Sequence, residues 1–239
     1  VAYLPIAVGP PPILYEDDFE AGVGKWRPFT NYWRLVAQQW FLDPTQGYEG
    51  SKAYTHQHDR GKCCAHDALT MYLGPGSGEW TDYRYSARFR VQNGRQAGLW
   101  FRGAYQDVET KGQWLTGYYF TVVTRADGAH PARLWQLRTE EETGGETFSE
   151  YWYHFSNPLM LREVEIETEV NFGEWHQLTV EARGPNFKCY VDDELVFDYT
   201  DTVGSIFLKG TVGLYTFGSE PYVATINFDD ILVEPLSSP

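Results

Sequence analysis

Two clusters of carboxylates stand near opposite ends of the sequence. Asp17, Asp18 and Glu20 come early, and Asp229 and Asp230 lie close to the C-terminus. Clustered carboxylates, together with backbone carbonyls, offer the hard oxygens that calcium prefers. Because successive side chains of a strand point to opposite faces, we expect at most one residue of each Asp pair to ligate. The clusters therefore indicate either a structural calcium site or an ordinary solvated acidic edge.

A glutamate ladder is the second feature with chemical potential. Glutamates alternate with apolar residues from Glu163 to Val170. Retaining glycosidases hold two carboxyl groups about 5.5 Å apart, a separation that alternate strand residues approach. Val164, Ile166 and Val170 nevertheless form a complete inward face, and like charges on the outward face protect a sheet edge from aggregation. We therefore expect a solvated strand and no glycosidase activity.

Histidines and cysteines form the one grouping with the ligand types of a zinc site. His56 and His58 share one face of a strand, and Cys63, Cys64 and His66 follow. Imidazole and thiolate are zinc ligands, but this spacing matches no familiar zinc pattern. In a secreted chain, a disulfide between Cys63 or Cys64 and Cys189 is favoured over the metal.

Tryptophan is abundant, with 9 residues in the chain. Aromatic rings in loop-like or polar contexts can stack on the apolar faces of sugars. The candidates for such stacking are Trp33, Trp40, Trp80, Trp114 and Trp152. Trp26, Trp100 and Trp175 lie within regular strand patterns, and we expect them in the core.

The N-terminal tract is apolar on both faces of an extended strand. One face carries Ala2, Leu4, Ile6 and Val8, and the other includes Val1 and Tyr3. A strand that is apolar on both faces favours burial on both faces. Residues 9–12, Gly-Pro-Pro-Pro, form a stiff spacer of about 12 Å if they are extended. The tract is expected to pack as a donor strand on a neighbouring copy, with docking on its own domain as the alternative.

The rest of the chain reads as one strand after another. Residues 82–91 alternate apolar residues with Arg84, Arg88 and Arg90, which predicts a strand with a polar outer face. Residues 97–102 and 117–123 are more apolar, as central strands are. Further strands are predicted at 133–138, 163–170, 176–182, 187–191, 213–216 and 224–233. Turn residues separate these runs, so the pattern predicts an all-β sandwich or barrel.

The order of several motifs resembles a known family. Asp17-Asp18-Phe19-Glu20 is followed by Gly98-Leu99-Trp100-Phe101-Arg102 and by Trp175-His176-Gln177-Leu178, and the chain closes on Phe228-Asp229-Asp230-Ile231. This pattern is similar to the concanavalin A-like, or laminin-G-like, jelly roll of lectins, carbohydrate-binding modules and some glycosidases. The resemblance covers residues 14–234.

This resemblance implies that the first and last strands lie side by side, where related modules often hold a structural calcium. Laminarinase-type glycosidases of the fold carry Glu-x-Asp-x-Glu on one strand. The present chain has Glu165 at the central position and a shorter stretch before Trp175. Both departures weaken the comparison with these enzymes.

The composition narrows the classes of partner. The chain has 239 residues, a net charge of −14 and no run long enough to span a membrane. An acidic chain without a basic cluster is poorly suited to nucleic acid or anionic membranes. The start at Val1 rather than Met favours removal of a secretory signal, so we expect an extracellular or cell-surface location.

The sequence thus predicts a two-sheet antiparallel jelly-roll sandwich with an extended N-terminal strand. Residues 1–12 form the strand and spacer, 13–235 the sandwich and 236–239 a tail. The predicted function is a non-enzymatic, secreted subunit that assembles into filaments with copies of itself. The alternative is a lectin-like module that binds extracellular polysaccharide, and a glycoside hydrolase is a distant third.

Overall fold

The computed structural model describes residues 12–30, 38–58, 66–108, 112–124, 130–137, 159–203, 206–218 and 224–237. Fifteen strands make up almost all of the regular structure in these ranges. Strands in the first half are β1 (Tyr15–Asp17), β2 (Trp26–Thr30), β3 (Gln38–Asp43), β4 (Ala53–His58), β5 (His66–Tyr72), β6 (Tyr83–Asn93), β7 (Gln96–Val108) and β8 (Gly112–Val123). Those in the second half are β9 (Pro131–Leu137), β10 (Leu159–Glu165), β11 (His176–Arg183), β12 (Asn186–Val191), β13 (Glu194–Thr200), β14 (Thr211–Gly218) and β15 (Ala224–Pro235). Short 3₁₀ turns occur at Tyr48–Gly50 and Ser77–Glu79.

The strands form two antiparallel sheets, which confirms the predicted sandwich. The seven-stranded sheet has the order β10-β9-β8-β7-β14-β5-β2. The eight-stranded sheet has the order β13-β12-β11-β6-β15-β4-β3, and β1 pairs with the second half of β15. The first and last strands are therefore neighbours, with Asp17 opposite Ile231, as the resemblance implies.

The main core lies between the sheets, where each strand contributes every second side chain. In β6, Tyr83, Tyr85, Phe89 and Val91 are buried in this core. Arg84, Arg88 and Arg90 point to the other side and are only partly buried. The predicted polar outer face is thus confirmed.

The glutamate ladder lies on an edge strand. Strand β10 is the outermost strand of its sheet and ends at Glu165, so the second half of the predicted strand is irregular. Its glutamates are exposed, whereas Val164 and Ile166 pack against the core. The solvated edge inferred from the alternation is therefore present.

Candidate functional site

The seven-stranded sheet carries a second apolar cluster on its outer side, facing away from the main core. We call this surface the aromatic face. Its buried members are Leu69, Met71, Trp100, Leu115, Tyr119, Leu137 and Tyr215, and Leu73, Trp135 and Phe217 are partly buried beside them. These residues alternate along their strands with residues of the main core. Strands β7, β8 and β14 are consequently apolar on both sides.

Glycines shape the centre of the aromatic face. A Cβ atom on Gly103 would lie 2.6 Å from Trp100 Cη2, and one on Gly213 would lie 2.8 Å from Trp100 Cε3. The Trp100 indole therefore lies against the backbone at two positions where only hydrogen leaves room for it. Gly103 and Gly213 therefore make room for the Trp100 indole at the centre of the aromatic face.

Three further rings form a row across the strands. Tyr119 stacks on Trp135 with a centroid distance of 5.7 Å and an interplanar angle of 5°. On its other side it stacks on Tyr215 at 4.8 Å. Tyr215 is opposite Gly98 of β7, and Gly98 is opposite Thr121 of β8. Offset ring pairs of this kind stabilise a packed surface.

Three buried polar atoms on this face have no hydrogen-bond partner among the residues that the structure describes. They are the indole Nε1 of Trp100, the indole Nε1 of Trp135 and the hydroxyl of Thr121. Leaving a buried donor unpaired costs about 1–3 kcal/mol, and such groups are rare in native proteins. An acceptor-bearing ligand that reached this face would remove that cost.

The aromatic face is most accessible at its β9–β10 end. Trp135 is half-buried there and lies opposite Met160, which is 47% exposed. Arg133 lies one row away, forms an ion pair with Glu163 and is opposite Thr121. Aromatic surface, unpaired donors and a charged pair therefore meet at this end.

The polar outer face of the eight-stranded sheet is built differently. Arg88 lies 3.9 Å from the centroid of the Tyr48 ring, and Arg90 lies 4.9 Å from that of Trp175. Arg90 also donates to the backbone and side-chain oxygens of Gln46, each at 2.8 Å. Trp175, which the sequence analysis assigned to the core, is half-buried on this outer face. It immediately precedes His176, whose side chain is buried, and the alternation of side chains along an extended chain places Trp175 on the opposite face.

The five carboxylates predicted as calcium ligands separate into two groups. Asp17, Asp18 and Asp230 line one groove beside β1. Asp229 instead accepts hydrogen bonds from Tyr48 N and Ser51 Oγ, both at 2.8 Å, and Glu20 pairs with Lys52. Burial raises the pKa of the Asp229 carboxyl, and these hydrogen bonds oppose that rise.

Both oxygens of Asp17 are engaged, since Oδ1 accepts from Phe19 N at 2.9 Å and Oδ2 accepts from Tyr15 and from Trp26 Nε1. Within the described ranges, no group of three or more His, Cys, Asp or Glu residues is arranged to hold a metal ion. The calcium prediction stays untested.

This chain is similar in sequence to one protein family and in fold to several solved structures. The family model of the 3-keto-alpha-glucoside-1,2-lyase-like domain matches residues 75–234. That span includes β6–β15 and most of the aromatic face. The chain belongs to this family. The prediction of a non-enzymatic protein is therefore corrected, because the family is described by a lyase activity.

Solved structures support the fold of this lyase-like domain. The carbohydrate-binding module CBM66 from Bacillus subtilis is 22% identical, with a TM-score of 0.52, over 88% of this chain and 95% of that one. The Ca²⁺/Man-bound exoplasmic/lumenal domain of VIP36 is 11% identical, with a TM-score of 0.55, over 92% and 86% of the two chains. SCLam, a non-specific endo-beta-1,3(4)-glucanase from family GH16, is 11% identical, with a TM-score of 0.55, over 96% and 93%. No curated protein sequence matches the chain significantly.

Two of the five tryptophans proposed for sugar stacking, Trp40 and Trp80, have described side chains. Trp40 packs on Tyr54 and His56 against the main core, at centroid distances of 5.1 and 5.0 Å. Trp80 stacks on Tyr72 at 5.8 Å. Both rings have structural contacts away from the aromatic face. Trp33, Trp152 and the side chain of Trp114 lie outside the described residues.

Sequence reasoning missed Trp135, Tyr119 and Tyr215 as site residues. The signal was present in β8 and β14, which are apolar at successive positions, as strands buried on both faces are. In residues 117–123 this pattern predicted a central strand, but it carries no information on which residues contact the second apolar side.

The histidine and cysteine grouping is only partly described. His56 is buried between the sheets, where its Nδ1 lies 2.8 Å from Thr216 Oγ1. Cys189 is a free, buried thiol, and burial raises its pKa. The predicted disulfide is therefore not found at Cys189. Cys63, Cys64 and the side chains of His58 and His66 lie outside the described residues.

The predicted assembly strand, Val1–Val8, also lies outside the described residues, so filament formation stays a prediction. No helix within the described part of the chain is long and apolar enough to cross a membrane.

Proposed function

We propose that the chain binds a neutral carbohydrate at the accessible end of the aromatic face. The observation that carries this proposal is the combination of stacked aromatic rings with three buried polar atoms that lack partners. An apolar ligand would fit the rings but would leave these groups unpaired. A sugar presents C–H surface to the rings and hydroxyl oxygens to the donors.

The ligand contacts the half-buried Trp135 first and lies between it and the Arg133–Glu163 pair. The guanidinium and the carboxylate supply one hydrogen-bond donor and one acceptor to neighbouring hydroxyls. Membership of a family described by activity on a glucoside supports this choice of ligand. We further propose an extracellular location, as the composition predicts.

A second candidate function is favoured by the family: elimination across C1 and C2 of a 3-keto-glucoside. The ketone at C3 acidifies the C2 proton, so a base removes that proton while the C1 substituent leaves with the bonding electrons. Glu163 is a carboxylate on this face that could accept the proton, and Arg133 holds it in place. Incubation with a 3-keto-glucoside, followed by chromatography of the released aglycone, tests this candidate. Glu163→Gln is expected to abolish release.

Calorimetric titration with α- and β-linked gluco-oligosaccharides tests the binding proposal. Trp135→Ala is expected to weaken binding at least tenfold, because stacking and one hydrogen bond are lost together. The matched control is Trp175→Ala, which removes a half-buried indole from the opposite sheet. Absence of binding to the wild-type chain, or an equal loss in both variants, would contradict the proposal.

A further inference from the structure

A second recess lies on the opposite side of the sandwich, between β1 and the polar face. Its cavity volume is about 660 Å³, within the range of small-molecule sites. The lining carries several carboxylates but also the donors Arg88, Gln177 and Ser86. We call this recess the acidic groove. It shares no residue with the aromatic face.

A β-bulge opens the groove. The register of β15 against β6 shifts between Asp229 and Leu232, and Asp230 adopts a left-handed backbone with a φ of 47°. Bulges insert an extra residue and redirect side chains. The bulge directs Asp229 toward the Tyr48 turn and Asp230 toward Arg88, whose Nε donates to it at 2.9 Å.

One wall of the groove is held rigidly. The buried Asp229 carboxylate fixes the turn that carries Tyr48, and the Tyr48 ring lies beneath Arg88. Asp230 holds the other side of the same guanidinium. Arg88 therefore has a fixed orientation before any ligand arrives, which lowers the entropic cost of binding.

The acidic groove is also lined by the hydroxyl-bearing residue Ser86. Ser86 is 8% exposed and lines the recess, and its hydroxyl has no hydrogen-bond partner in the described structure. Such a group is costly to leave unpaired unless water or a ligand reaches it. This observation points to a ligand independently of the carboxylates.

The charge of the groove decides the kind of ligand. Asp230 is balanced by Arg88, but Glu16 and Asp18 have no cationic side chain within 4.0 Å among the residues that the structure describes. Uncompensated carboxylates repel anions and attract cations. A ligand suited to this recess therefore carries a positive charge beside groups that bond to Ser86, Arg88 and Gln177.

We propose that the acidic groove is a second binding site, for a saccharide that carries a protonated amine. The ammonium group lies between Glu16 and Asp18, and the ring hydroxyls bond to Arg88, Gln177 and Ser86. The hydroxyls of an amino sugar match this mixed set of donors and acceptors, which a bare cation would leave unused. The site is separate from the proposed neutral-carbohydrate site, so either proposal can fail alone.

Titration with the tetrasaccharide of glucosamine, and in parallel with its fully N-acetylated form, tests the proposal. We expect the amine form to bind, and acetylation, which removes the charge, to weaken binding at least tenfold. The double variant Glu16→Gln/Asp18→Asn is expected to lose a similar factor, with a weaker salt dependence. Its control is Glu165→Gln/Glu167→Gln, which makes the same charge change at exposed positions on and beside β10.

Retention of wild-type affinity in the control and by Trp135→Ala would support a separate groove site. Equal binding of the acetylated form would overturn the proposal, as would unchanged affinity in the Glu16/Asp18 variant. Binding of calcium chloride at the groove, without binding of the amino sugar, would assign the carboxylates to a metal and also overturn it.

Discussion

The outer faces of the two sheets differ in the kind of side chain that covers them. On the eight-stranded sheet, arginines lie over aromatic rings and pair with carboxylates, and their charged groups stay partly in water. On the seven-stranded sheet, the outward side chains are mainly apolar, and Trp100, Leu69 and Met71 are fully buried. The arginines of the first surface have aromatic and carboxylate partners on that surface. Among the residues that the structure describes, the second surface has buried donors without a hydrogen-bond partner beside its stacked rings.

This difference predicts how much the outer face of each sheet contributes to the free energy of unfolding and to ligand binding. A surface with internal hydrogen bonds gains little from a ligand that merely replaces them. A surface with unpaired donors gains new bonds on binding, because the cost of leaving those donors buried has already been met in the free protein. The aromatic face should therefore dominate both stability and neutral-sugar binding, and the polar face should contribute locally.

The largest expected effect comes from the centre of the aromatic face. Trp100→Ala should lower the free energy of unfolding by about 3–5 kcal/mol, because a fully buried indole is replaced by a cavity. Urea unfolding followed by circular dichroism measures this change. A loss below about 1 kcal/mol would mean that the aromatic face is not a second core.

The second-largest loss of stability is expected from a substitution at Gly213, beside the Trp100 indole. A Cβ atom at Gly213 would lie 2.4 Å from the backbone oxygen of Thr70, so Gly213→Ala should cost about 1–3 kcal/mol through forced displacement. Gly78→Ala is the matched control, since its Cβ would meet nothing within 4 Å. The same unfolding assay compares the two variants. Equal stability would show that Trp100 does not need the glycine beneath it.

A pH-dependent effect is expected at the end of the polar face. Burial raises the pKa of the Asp192 carboxyl, but hydrogen bonds from His176 and from Gln177 N outweigh this and hold the pKa below its usual value. A lowered folded-state pKa stabilises the protein above the unfolded-state pKa, and this stabilisation disappears as the pH falls through the folded-state value.

Asp192→Asn should therefore be less stable than wild type at neutral pH, and the gap should close in acid. We expect about 1 kcal/mol or less, because the side chain is 37% exposed and solvent screens the interaction. Thermal unfolding across an acid-to-neutral pH series measures the gap. A gap that does not change with pH would contradict this account.

The smallest effect belongs to the arginine ladder. Arg84 pairs with Glu181 at 2.9 Å, but its side chain is 35% exposed. Arg84→Met keeps the apolar stem and should change the free energy of unfolding by less than about 1 kcal/mol. If this variant lost as much stability as Trp100→Ala, the contrast between the two faces would not hold.

The sequence was sufficient to predict the architecture because period-two alternation reports directly on burial. Strands β6, β11 and β12 follow the predicted pattern closely. The side-by-side arrangement of β1 and β15 required the family resemblance, since no local pattern encodes pairing between distant strands. Strand β10 begins at Leu159 and ends at Glu165, earlier in the chain than the predicted strand at 163–170.

The candidate sites were less predictable, for reasons that particular residues show. The bulge at Asp230 separates two adjacent aspartates that the sequence places together, and bulges leave no reliable local signature. Trp175 follows a strand-like pattern but points outward, because a half-buried strand gives tryptophan a place on either face. Trp135 becomes a site residue only through Tyr119 and Tyr215, which are distant in sequence.

The most direct test of the central claim follows the indole N–H signals by NMR during titration with the bound gluco-oligosaccharide. Trp100 and Trp135 have unpaired Nε1 atoms, whereas Trp26 Nε1 already donates to Tyr15 Oη at 3.0 Å. The account predicts a downfield shift for the Trp135 signal as its Nε1 gains an acceptor, and no shift for Trp26. Shifts confined to Trp175, or none at Trp135 at saturation, would contradict a carbohydrate site on the aromatic face.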